Sequence, residues 1–136
     1  MPGLWLFKEE STHYSFDDLL RDKRTVWDGV RNNLALKNLR SVKKGDKALF
    51  FHTGKERVVV GIMKVVSDPR PDPKLRDERL VVVDVEPLAK LPRPVSLAEI
   101  KKNPKFKGWD LLRLPRLSVM PVSQEHWDEI ERMAKG

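Results

Sequence analysis

Eight consecutive residues, Thr25, Val26, Trp27, Asp28, Gly29, Val30, Arg31 and Asn32, join a large aromatic ring, a glycine-enabled turn, a cation and an amide. An indole can stack on any nucleobase, which is worth about 1–3 kcal/mol in proteins that bind single strands. Backbone groups beside Gly29 can approach a base edge, and Asn32 offers that edge both a donor and an acceptor. Arg31 suits a phosphate, which its guanidinium can grip in bidentate fashion. Read as structure, Trp27 is instead a core aromatic and Arg31 a solvated surface residue.

Other constellations that carry chemistry are scarce. The three histidines, His13, His52 and His126, stand in separate segments without His-x-x-His pairing, which argues against a zinc site. His52, at a strand end before a turn, could line a pocket or act as a hydrogen-bonded structural histidine. No Gly-x-Ser-x-Gly, Walker or Gly-x-Gly-x-x-Gly motif is found. The acids come as adjacent pairs, Glu9 with Glu10 and Asp17 with Asp18, and the latter suits the first turn of a helix. With no cysteine there is no thiolate nucleophile, disulfide or cysteine zinc site. A binding protein without catalysis, cofactor or metal is therefore expected.

The 27 Lys and Arg outnumber the 20 Asp and Glu, for a net charge of +7 spread along the chain. That excess is compatible with a polyanionic partner. No signal segment is visible and no apolar run approaches the roughly 18 residues of a membrane span. A cytoplasmic protein is expected.

Elements must position these residues. Leu4, Trp5, Leu6 and Phe7 predict a buried first strand. Ser15, with an acid three positions on, predicts a capped helix from Phe16. Leu34, Leu36 and Leu39 have near-helical spacing and end before a turn at Lys43, Lys44, Gly45 and Asp46. Residues 47–52 and 57–66 read as strands of an antiparallel hairpin around Thr53, Gly54 and Lys55. Gly61 inside the second predicts a bulge or a close backbone approach. A third strand is expected over 80–85. The proline-rich segment 68–73 reads as an exposed irregular loop. Ser96 starts a short helix, residues 116–120 form a last strand stopped by Pro121, and Ser123 caps a terminal helix packed through Trp127, Ile130 and Met133. At 136 residues this is one α+β domain over 1–136, a mixed, mainly antiparallel β-barrel with short flanking helices.

The order of segments resembles the EVE domain, a PUA-like barrel related to the YTH readers of methylated adenine. The resemblance rests on Trp5-Leu6-Phe7-Lys8, then on Trp27 through Asn32, Asn38-Leu39-Arg40, Gly45-Asp46, Phe50-Phe51-His52, Gly61-Ile62, Val83-Asp84-Val85, Arg116-Leu117-Ser118-Val119 and Pro121-Val122. It implies a pocket for a flipped, modified base of DNA or RNA, walled by Trp27 with Lys8 and Glu9 opposite. Asp28, Gly29, Val30, Asn32 and His52 would complete it, while Arg31, Arg40, Lys43, Lys44 and Arg116 would contact phosphate. A monomer is expected. The chain departs from the family pattern where Lys8-Glu9-Glu10-Ser11 replaces Lys-Ser-Glu-Pro, and where Asn33-Leu34-Ala35-Leu36 replaces Tyr-Gln-Ala-Arg. A carboxylate at Glu9 only accepts, so it favours a base edge rich in donors, such as an exocyclic amine. Other readings are a sensor of free modified nucleosides, a protein-interaction module without a working pocket, and an enzyme using Glu9 or Asp28.

Overall fold

The computed structural model describes residues 3–74 and 77–136. Its apolar start forms β1 (Leu4–Glu10), which pairs in parallel with β3 (Lys47–Thr53), placing Leu4 opposite Lys47 and Glu9 opposite His52. The other edge of β1 pairs antiparallel with β7 (Val119–Pro121). Beyond β3 the sheet continues antiparallel through β4 (Val58–Val65), β6 (Val81–Ser96) and β2 (Thr25–Trp27), with β5 (Arg70–Pro71) also on β6. This is a mixed, mainly antiparallel sheet. It curls on itself: Trp27, from the strand at one edge, lies 5.4 Å from Phe7 of β1 and 5.2 Å from Phe50 of β3 between ring centroids. These three rings, with Phe16, Leu49 and Met63, form part of the interior.

Helices close the ends and edges. Ser15 and Asp18 make a reciprocal capping box that starts α1 (Phe16–Asp22), satisfying two backbone donors that the helix itself cannot. Asn32 caps α2 (Asn33–Ser41), whose Asn38 side chain donates to the Val119 carbonyl at 2.8 Å and ties the helix to β7. A second capping box, Ser96 with Glu99, starts α3 (Leu97–Lys102). After α4 (Asp110–Arg113), α5 (Gln124–Lys135) begins at Ser123 and buries Trp127, Ile130 and Ala134 against the barrel. The turn before β3 is locked by Asp46, whose buried carboxylate accepts from Gly3 N–H, the Trp5 indole and Lys43 N–H.

Gly61 meets both parts of its expectation. The pairing of β4 with β3 and with β6 slips beside it, and a methyl group there would stand 2.4–2.6 Å from the Phe16 ring. Three expectations need correction. The third strand does not end at Val85 but runs to Ser96 despite Pro87, Pro92 and Pro94. The 68–73 loop contains a short paired stretch, β5, and its Asp72 is buried. The last strand is only Val119–Pro121 and includes Pro121, which faces Trp5. Residues 25–27 form a further strand, to which the sequence pattern had assigned no element.

Candidate nucleic-acid interface

Between β1 and β2 lies a cavity of about 160 Å³, lined by Glu9, His13, Tyr14, Thr25, Val26, Trp27 and Asp28. Its position follows from strand periodicity. Phe7 and Glu9 share one face of β1, so the residue after next to a core phenylalanine faces the cavity instead of the core. Trp27 is the last residue of β2, and its ring seals the cavity against Phe7 and Phe50. The backbone then turns at Gly29 with φ +76°, a conformation that glycine adopts without strain, and delivers the chain to α2.

The donors and acceptors of the cavity are unevenly used. The indoles of Trp5, Trp109 and Trp127 donate to Asp46, the Pro121 carbonyl and Glu131. Among the described residues the Trp27 indole has no such partner. Glu9 Oε1 accepts from Glu10 N–H at 2.9 Å and lies 3.2 Å from His13 Nδ1, leaving Oε2 without a partner among the described residues. The Asp28 carboxylate is exposed and likewise unpaired among them. Tyr14 donates to Asp22 at 2.9 Å, and its partial burial raises the phenol above its ordinary range. The result is a ring wall, one free donor and two carboxylates in a space the size of one aromatic ring.

The structure brings Glu9, Trp27 and Asp28 together. It does not bring Lys8 to them. One residue along β1, Lys8 points to the other face, where its Nζ donates to the Pro115 carbonyl at 3.0 Å and sits over the Phe51 ring. His52 is a buried brace: Nε2 accepts from Phe16 N–H at 3.1 Å, and Nδ1 lies 3.3 Å from Glu56. That accepting role places the imidazole proton on Nδ1. Val30 is buried and Gly29 exposed beside the turn. The Asn32 side-chain oxygen is committed to Leu34 N–H and Ala35 N–H as a helix cap, so only its amide nitrogen remains.

The cations are dispersed. Arg116 and Asn32 border a separate open groove of about 300 Å³, walled by Leu34, Leu114 and Leu117. Arg31 is exposed next to it in sequence. Arg40 reaches the Arg79 carbonyl at 2.6 Å. Lys43 and Lys44 sit in the turn before β3, at the end of the β1–β3 pair away from Glu9. His13, Tyr14, Thr25 and Val26 also line the cavity, although none was among the expected site residues. The alternation of Thr25, Val26 and Trp27 was the available signal for a strand edge there.

The family model of the EVE domain matches residues 3–133. The chain belongs to the EVE domain family. Thymocyte nuclear protein 1 of Rattus norvegicus is 32% identical over 164 residues, which covers 96% of this chain and 73% of that protein. Among solved structures, a protein from Agrobacterium tumefaciens superposes with a TM-score of 0.92 at 36% identity, covering 97% of this chain and 92% of its own. The human THYN1 protein, solved in complex with 5-methylcytosine containing DNA, gives a TM-score of 0.90 at 28% identity and 98% coverage of both chains. The PUA-like architecture expected of an EVE domain is the architecture observed. No helix among the described residues is long and apolar enough to cross a membrane.

Proposed function

We propose that this EVE domain binds nucleic acid by drawing a modified base, flipped from its strand, into the cavity between β1 and β2, without chemistry on the base. The observation that carries the reading is the convergence of Trp27, Glu9 and Asp28 on a space of about 160 Å³. A cavity of roughly 150 Å³ accepts a benzene ring, so the volume suits one six-membered ring and a pyrimidine better than a purine. Two carboxylates that only accept match the exocyclic amine of cytosine, and the Trp27 N–H can donate to an acceptor on the same ring. The human relative bound to 5-methylcytosine DNA supports the same choice.

Magnitudes assign the roles. Extruding a base costs a few kcal/mol, which stacking and edge hydrogen bonds must offset. One buried methyl adds about 0.8 kcal/mol, or roughly fourfold in affinity, so the polar edge sets most of the base choice. Arg31 and Arg116 are the phosphate contacts nearest in the chain or groove to this path, with Arg40, Lys43 and Lys44 adding longer-range attraction. Binding measured by fluorescence anisotropy is expected to be about fourfold tighter for an oligonucleotide with one 5-methylcytosine than for its unmodified twin. Glu9→Gln, which exchanges a charged acceptor for a neutral one, is expected to weaken it about fivefold at unchanged Tm. Equal affinities in wild type, Glu9→Gln and Asp28→Asn would remove the cavity from the binding site.

A further inference from the structure

The opposite face of β1 carries a larger cavity of about 370 Å³, into which Lys8, Arg57 and Lys101 converge over Leu97, Leu111 and Pro115. Among the described residues no carboxylate lines it. Elsewhere Arg21, Arg24, Arg70, Arg79, Arg93, Arg113 and Arg132 each hold a carboxylate within 4 Å. Lys8, Arg57 and Lys101 have none among the described residues. Glu56, on the adjoining depression, is held by His52 and Ser11, and the Glu10 carboxylate packs beside Gly54.

We propose that this cavity is a second ligand site, for a phosphate group carried on a small apolar or aromatic body, as in a nucleotide. Lys8 is more than half buried, its ammonium desolvated enough to lower its pKa, and one of its three N–H groups is spent on Pro115. A cation withdrawn from water without a counter-charge is costly, and an incoming anion relieves that cost. Arg57 holds a positive φ of 50° and binds the Gly54 carbonyl through Nε at 3.3 Å. Both Nη groups are left to grip a phosphate in bidentate fashion. The volume is within the range of small-molecule sites and exceeds the base cavity more than twofold. The apolar wall of Leu97, Leu111 and Pro115 makes it more than a bare anion cradle. The site stands apart from the base pocket, because β1 separates the two, and it does not depend on that reading.

The ligand could be a free nucleotide or a nucleotide within the bound strand, and one titration series separates them. Amide spectra of the ¹⁵N-labelled protein are recorded with adenosine 5′-monophosphate, adenosine, inorganic phosphate and a single-stranded oligonucleotide. The monophosphate is expected to shift Thr53, Gly54, Arg57 and Lys101, with phosphate shifting them less and adenosine hardly at all. Combining Arg57→Gln with Lys101→Gln, both at exposed positions, should weaken the monophosphate at least about tenfold with Tm unchanged. Trp27→Phe should not weaken it, so loss of the base pocket would be seen separately. If the strand supplies the phosphate, the double variant also lowers the salt slope of oligonucleotide binding by about 1–2. If free nucleotide is the ligand, that slope is unchanged. No shift at these amides from either the monophosphate or the oligonucleotide, or equal affinities in wild type and double variant, overturns the proposal.

Discussion

Trp27 holds two roles at once, and each limits how the other can be tested. Its ring is 4% exposed, tilted against Phe7 and edge-on to Phe50, so it is a core side chain. It also lines the cavity between β1 and β2. Truncation to alanine empties a large aromatic site, and Trp27→Ala is expected to cost about 3–5 kcal/mol in urea unfolding. Its effect on binding is then inseparable from its effect on folding. Trp27→Phe keeps a ring between Phe7 and Phe50 and removes the N–H, so it should cost less than half as much. At this scale the sequence was informative and ambiguous together. It singled out Trp27, Glu9 and Asp28, but an aromatic beside a turn reads equally well as core or as wall, and here it is both. Lys8 was legible in principle, because the period of two along β1 sends Lys8 and Glu9 to opposite faces.

At the scale of elements, local side-chain chemistry was the most readable feature. The caps at Ser15, Ser96 and Ser123 depend on residues one turn apart, and each starts a helix where its pattern lies. Gly61 was legible too, since a glycine inside a β-branched run needs a steric reason. The reason is Phe16, whose ring occupies the space of a side chain at 61. Gly61→Ala is therefore expected to destabilise by about 1–3 kcal/mol through overpacking, with α1 displaced from β4. Calorimetry should find a lower Tm, and amide exchange should quicken first in α1. An unchanged Tm would mean that Phe16 relaxes freely. Less legible were the long β6 and the short β5. Prolines at 87, 92 and 94 suggest a break, yet a proline costs a ladder only the hydrogen bond its nitrogen would have made. The pairing of β4 along β6 slips twice on the way, which accommodates such positions. Which strand partners cross the barrel is a matter of tertiary contact that no window of sequence contains.

Across the whole molecule, charge bears on stability. The +7 excess, compatible with a polyanionic partner, repels itself. Opposing that repulsion, the carboxyls of Asp18, Asp22, Glu56, Asp77, Asp84, Glu99 and Glu129 are all held below their ordinary range by hydrogen bonds and nearby cations. Glu129 is the strongest structural case: buried on α5, it accepts from Arg132 and Asn103 and lies 3.5 Å from Lys105, which brings it down to about 2. A carboxyl whose folded pKa lies below its unfolded value stabilises the fold above the unfolded value. That contribution is lost as pH falls through the folded one. The expected stability is therefore level from neutrality to about pH 5 and falls steeply between about 4.5 and 2, where the 27 Lys and Arg also lose their compensating acids. Urea unfolding across this window checks the shape. Glu129→Gln should be less stable than wild type at pH 7 and converge on it near pH 2, because protonation removes from the wild type the charge that the variant never had. A gap between the two that stays constant down to pH 2 would show that Glu129 contributes through packing and neutral hydrogen bonds instead of through its charge.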